Sequence, residues 1–131
     1  MSRTDLIADT LTMVRNAIMA RKENLDVPAS KITKAILEIL KKENYIDNIK
    51  LIEDKKQGVL RIYLKWNGKK NAIKTLRRIS KPSLRVYVEK EKIPNVLRGK
   101  GIAIMSTPKG IVTNNEAREL GVVGEVLAFV W

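Results

Sequence analysis

A chain of 131 residues with 26 Lys or Arg against 14 Asp or Glu carries a net charge of +12, and its 44% of apolar residues is enough for a real core. It contains neither cysteine nor histidine, which removes disulfides, thiolate metal sites and the commonest general base, leaving Asp, Glu, Lys and Tyr for any chemistry. Like charge at this density repels itself in the folded state, so the composition asks for a polyanionic partner.

The first helix is predicted over 6–18, where Ile7, Leu11, Val14 and Ile18 share one face. Thr4 is its expected N-cap, and Asp5 stands in the first turn. Asp5, Asp9 and Arg15 make this segment too polar for a signal peptide. The longest apolar run, Val126 to Trp131, falls far short of the ~20 residues of a membrane span. The expected compartment is therefore cytosol or an organelle stroma or matrix, with no membrane partner. Leu25 to Pro28 reads as a short edge strand. Ser30 caps a second helix over Ile32, Ala35, Ile36, Ile39 and Leu40, with Lys41 and Lys42 at its cation-favouring end and Asn44 as the stop.

Tyr45 to Glu53 and Val59 to Trp66 flank a hairpin loop, Asp54 to Gly58. In the second of these strands Leu60, Ile62, Leu64 and Trp66 alternate with Val59, Arg61, Tyr63 and Lys65, predicting one buried and one wet face. After a turn at 67–71, Ala72 to Ile79 reads as a third strand, and Ser80-Lys81-Pro82-Ser83 as a hinge between two halves. The second half is strand-rich, with strands predicted at 84–88, 102–106, 110–112 and 126–131. A short helix capped by Thr113 or Asn114 lies between the last two; Glu116 and Glu119 read as its solvated face.

Residues 65–100 hold twelve Lys or Arg against only Glu89 and Glu91, so most of the net charge sits here. Most charge runs are simply solvated faces. Scarce acids, and Tyr87 set among Arg85, Lys90 and Lys92, favour nucleic acid instead: cations displace counterions from phosphates, and a ring stacks on an unpaired base. Met105 to Gly110 is turn chemistry by spacing alone, although Ser and Thr hydroxyls also suit sugar 2′-hydroxyls and base edges. Gly99-Lys100-Gly101 and Gly121 to Gly124 lack the spacing of a phosphate-binding loop.

Five segments in order then resemble the small-subunit ribosomal protein S8 family over nearly the whole chain. They are Asp5-Leu6-Ile7-Ala8-Asp9 with Arg15-Asn16-Ala17; Val27 to Ile32; Arg78-Ile79-Ser80-Lys81-Pro82 with Leu84-Arg85-Val86-Tyr87; Ile93-Pro94 through Gly99, Gly101-Ile102-Ala103 and Ser106-Thr107; and Glu116-Ala117-Arg118 with Gly124-Glu125-Val126-Leu127. The resemblance implies an α+β protein: an N-terminal α-β-α-β-β unit (1–80) packed against a strand-rich C-terminal unit (81–131) with one short helix and the main RNA-binding turn. It implies no enzyme activity and no cofactor. The implied partners are the central domain of small-subunit rRNA, neighbouring ribosomal proteins and, for some members, a similar structure in the mRNA of the protein's own operon.

By the same resemblance the RNA-contacting turn is Ser106, Thr107, Lys109 and Gly110, joined by Gly124 and Glu125. A carboxylate at 125 would accept hydrogen bonds from base amino groups, as no basic side chain can. Lys31, Lys56, Arg77, Arg78, Arg85 and Lys92 are expected on phosphates, with Tyr87 packed beside the turn. The chain departs from the family at Pro108, where Ser is common, at Ser83, where Gly is usual, and at Leu6 and Met13, which replace Pro and Arg. Ser83 would be strained if that position needs a positive φ. The rival is a DNA-binding architectural protein, which would concentrate cations on a groove-reading helix or a long arm; here they lie mostly in strands and loops.

Overall fold

A computed structural model describes residues 6–53 and 57–131. The predicted cap Thr4, the acidic Asp5 and the candidate phosphate contact Lys56 lie outside the described residues. The chain forms two compact units that divide between Ile73 and Lys74.

In the first unit, α1 (Leu6–Met19) buries Ile7, Thr10, Leu11, Val14 and Ala17. Ala17 takes the inner position expected for Ile18, which is half-buried. The helix ends where Arg21 turns to φ 56°. β1 (Asn24–Pro28) leads into α2 (Lys31–Lys42), whose N-cap Ser30 accepts the Thr33 amide at 3.1 Å. That cap satisfies one of the amides a helix start leaves open. Asn44, at φ 66°, stops α2 in the left-handed conformation that Asn tolerates better than most residues. The buried stripe of α2 is Thr33, Ile36, Leu37, Ile39 and Leu40, so Leu37 joins the core and Ile32 and Ala35 flank it.

β2 (Ile46–Ile52) and β3 (Val59–Leu64) complete an antiparallel sheet in the order β1-β3-β2. Leu60, Ile62 and Leu64 point inward, each worth about 1.5–3 kcal/mol of burial. On the wet face Arg61 grips Asp26 with two bonds, 2.8 and 3.1 Å, which holds the Asp26 carboxyl below its ordinary value. The strand stops at Lys65. Trp66 begins a small ribbon, β4 (Trp66–Asn67) with β5 (Lys70–Asn71), and its indole N–H donates to the Lys22 carbonyl at 2.9 Å.

The second unit is built on its last strand. β6 (Leu76–Arg78), β7 (Tyr87–Val88), β8 (Ile102–Thr107), β9 (Gly110–Thr113), α3 (Asn114–Leu120) and β10 (Gly124–Val130) follow in chain order. β10 pairs with β8 on one edge and with both β6 and β7 on the other, all antiparallel. The strand expected over 72–79 is thus Leu76–Arg78, and it belongs to this sheet. Its partner lies some fifty residues downstream, and local periodicity carries no trace of such a pairing. The expected hinge at 80–83 is a turn within this unit, closed by reciprocal Lys81–Leu84 backbone bonds of 2.9 and 3.0 Å. That turn trims the strand expected at 84–88 to Tyr87–Val88. Ser83 is not among the residues of positive φ, so Ser in place of Gly brings no strain.

One face of this sheet packs Ala103, Met105 and Val126 with Ala117 of α3, Ile93 and Val96. α3 starts in a reciprocal box: Thr113 Oγ1 accepts the Glu116 amide and Glu116 Oε1 accepts the Thr113 amide, both at 3.2 Å. Glu116 is therefore a cap rather than a solvated side chain. Arg118 on α3 donates to the carbonyls of Ile93 and Pro94, both at 3.1 Å, and to Asn95 Oδ1 at 2.8 Å. Buried Asn114 links Pro94 O (2.9 Å) to the Ala103 amide (3.2 Å). Together they fix the irregular stretch 93–101 against the sheet. Gly101 closes that stretch, and a Cβ there would lie 2.6 Å from the Val130 carbonyl oxygen.

Candidate nucleic-acid interface

Residues directly opposite one another in paired strands share a face, and neighbours along a strand alternate. Ser106 therefore points away from the face where Met105 packs with α3. It pairs with Glu125, and Glu125 pairs on its other side with Tyr87. Ile111, opposite Ser106, extends the same row. An aromatic ring, a carboxylate and a hydroxyl thus stand side by side across three strands, on the sheet face turned away from α3. Tyr87 is 63% exposed, so its ring is open to a stacking partner.

The row ends at the β8–β9 hairpin. Thr107 pairs with Gly110 across the two loop residues Pro108 and Lys109. Proline's fixed φ suits the first corner of a tight turn, and Gly110 takes φ 117°, a conformation side chains resist. Thr107 Oγ1 donates to the Gly110 carbonyl at 2.9 Å and accepts the Lys109 amide at 3.1 Å, so its hydroxyl fastens the tip. Lys109 is exposed there. Behind the hairpin Gly124 leaves no room for a side chain: a Cβ would lie 3.0 Å from Thr107 Cγ2 and 3.1 Å from the Ser106 carbonyl oxygen. Gly124 lets β10 approach the hairpin base closely.

Glu125 has protein partners of its own. Its Oε2 accepts Ser80 Oγ at 2.5 Å and Arg85 Nη1 at 3.1 Å. The glutamate side chain is 12% exposed and that of Arg85 50%. The carboxylate is thereby satisfied within the fold, and Arg85 is held beside the row.

The structure brings Ser106, Thr107, Lys109, Gly110, Tyr87, Arg85, Gly124 and Glu125 together in one place. The other expected contacts are more scattered. Arg78 donates to the Leu127 carbonyl at 2.7 Å, at a bulge in β10, so part of its guanidinium serves the sheet. Arg77 is exposed and, one residue along β6, points to the opposite face. Lys92 is exposed at the end of a 3-10 turn, Lys90–Lys92. Lys31 is exposed at the start of α2, in the first unit. Ser80, read from the sequence as hinge, is buried beneath Glu125; nothing in one sequence marks a serine for such a place.

Cations, hydroxyls and an exposed aromatic ring thus stand together around the β8–β9 hairpin of a basic α+β protein. The chain matches the family model of ribosomal protein S8 over residues 5–131, and it belongs to that family. The family is structural and non-enzymatic, and rRNA binding is general to it. Among relatives that match over their whole length and the whole of this chain, proteins named small ribosomal subunit protein uS8 are 58% identical in Acetivibrio thermocellus, 55% in Ruminiclostridium cellulolyticum and 54% in Bacillus cytotoxicus.

Proposed function

We propose that the Tyr87–Glu125–Ser106 row and the Thr107–Gly110 hairpin are the surface with which this chain recognises an irregular internal loop in a stem of the central domain of small-subunit rRNA, early in assembly of the subunit platform. The observation that carries this reading is the register, which sets aromatic, acid and hydroxyl in one line beside a rigid tip. Double-stranded RNA offers side chains little sequence in its deep groove, so specific recognition works on distorted loops through stacking and short polar groups. Thr107 and Gly110 shape the tip, Ser106 and Lys109 offer the polar contacts, and Tyr87 stacks. Glu125, anchored from below, presents its carboxylate to a base amino group.

A second set of residues holds phosphates and sets orientation without reading the loop. Arg77, Lys92 and Lys31 are exposed and suited to it, and Arg85 joins them by exchanging Glu125 for a phosphate. Lys56 would add to the set. The second unit does the reading, and the first adds phosphate contacts. The chain works as a constituent of the small ribosomal subunit in the cytoplasm, beside other ribosomal proteins. On the exposed face of α2, Lys31, Lys34, Lys41 and Lys42 surround Glu38, so a cationic helix face exists in the first unit, but the family match favours rRNA over an architectural DNA role. An mRNA stem with the same distorted loop would fit the same surface, so repression of its own operon follows as an extension of this reading.

The test is a salt titration of binding to the rRNA stem and to the same stem with its loop replaced by regular pairs. A preference of about 10³ or more for the looped stem at physiological salt is expected, since purely electrostatic binding collapses with salt. Equal binding that disappears together with added salt would overturn the reading.

A further inference from the structure

Ser80 is 0% exposed, and its hydroxyl is used in both directions. It donates to Glu125 Oε2 and accepts the Val86 amide at 3.1 Å. The backbone closes around it: the Ser80 amide donates to the Val126 carbonyl (3.1 Å), and the Val126 amide donates to the Val86 carbonyl (2.8 Å). The chain therefore leaves the edge of β10 at Ser80, makes the excursion 81–85, and returns at Val86. One hydroxyl ties the two feet of that excursion to each other and to the Glu125 carboxylate. The residue just before the return is Arg85, bonded to the same Glu125 oxygen. The residue just after it is Tyr87, opposite Glu125 in the sheet.

We propose that Ser80 is a positioning residue of the recognition surface: its buried hydroxyl fixes the Glu125 carboxylate and the return of the chain at Val86, so that Arg85, Tyr87 and Glu125 meet RNA already arranged. The inference rests on the reading of the row as the recognition surface. The need for such a residue is physical. A carboxylate this little exposed must keep a donor, and half-exposed Arg85 can exchange Glu125 for a phosphate only if another donor stays behind. Ser80 is that donor. It touches no RNA, so its effect is preorganisation, which reduces the ordering cost of binding rather than adding a contact.

The experiment uses the full chain as wild type, Ser80→Ala, Ser80→Thr and Glu125→Gln, each titrated with looped and regularised stems at several salt concentrations, with thermal melts to establish the folded fraction. Ser80→Ala is expected to lower the preference for the looped stem by at least about tenfold, as befits loss of a hydrogen bond to a charged group. Affinity for the regular stem and the salt slope should stay as in wild type, because no cation is lost. Ser80→Thr, which keeps the hydroxyl, should retain more preference than Ser80→Ala. An undiminished preference in Ser80→Ala overturns the proposal. So does an equal loss on both stems in step with the unfolded fraction, the mark of a merely structural serine. If Ser80→Ala does not fold, Glu125→Gln decides: it removes the charge that Ser80 holds, and a preference equal to wild type counts against the proposal. A wild type with no preference at all defeats the recognition reading itself, and the wild-type arm tells that failure apart.

Discussion

Thr107 shows how one hydroxyl can build a tip and leave little to spare. Its bonds to Gly110 and Lys109, 2.9 and 3.1 Å, both lie within the turn. Thr107→Ala should therefore loosen the hairpin tip, and each lost bond is worth about 1 kcal/mol. We expect looped-stem affinity to fall by about tenfold with regular-stem affinity nearly unchanged, read by equilibrium binding to both; an equal loss on both stems would refute the division into reading and positioning residues. Arg85 behaves otherwise, because it faces both Glu125 and solvent. Arg85→Ala should weaken both stems and lower the salt slope by about one unit or less. Part of that loss comes from the glutamate left behind, so Arg85→Ala combined with Glu125→Gln should recover affinity for the regular stem relative to Arg85→Ala alone. No recovery would mean that Glu125 is not a repulsive presence once its arginine is gone.

Elements show where sequence is legible and where it falls silent. Thr113 caps α3, as its place ahead of a periodic segment predicts, and Glu116 completes the box. The Thr-x-x-Glu spacing was there to read. Thr113→Ala should cost about 1 kcal/mol of stability, measured by urea unfolding; a change near zero would show that Arg118 and Asn114 hold the helix without its cap. Ser30, Asn44 and the alternation of Leu60, Ile62 and Leu64 were equally plain, since caps and period-two burial are local properties. β6 was not plain. Its residues read as a strand, yet their sheet is chosen by a partner in β10 that no nearby pattern announces. The 81–84 turn likewise shortened β7 through two backbone bonds that hydrophobicity does not encode. The turn at 106–110 is recognisable as turn chemistry from its residues, and the RNA-binding role proposed for it rests on resemblance. That Glu125 pairs with Ser80 and Arg85 was hidden entirely, because three segments must fold before those groups meet.

At the scale of the whole molecule the net charge of +12 is unmatched within the chain. A fold carrying such an excess is held against its own repulsion, and a bound polyanion relieves it. Looped RNA at 100 times its dissociation constant should stabilise the protein by about 2.7 kcal/mol, seen as a rise in melting temperature. At physiological salt the regular stem at the same concentration should give a much smaller rise. Equal rises would indicate that bulk charge rather than the row governs binding.

β10 has one more consequence, in the order of synthesis. The strand that pairs with β6, β7 and β8 is the last of them to be made. A nascent chain stopped before residue 124 holds the hairpin and Tyr87 but nothing to align them, and Ser80 has no carboxylate to grip. The proposed recognition surface therefore comes into being only as translation passes β10, so on that reading an incomplete copy has no assembled face with which to occupy a site on RNA meant for a finished one.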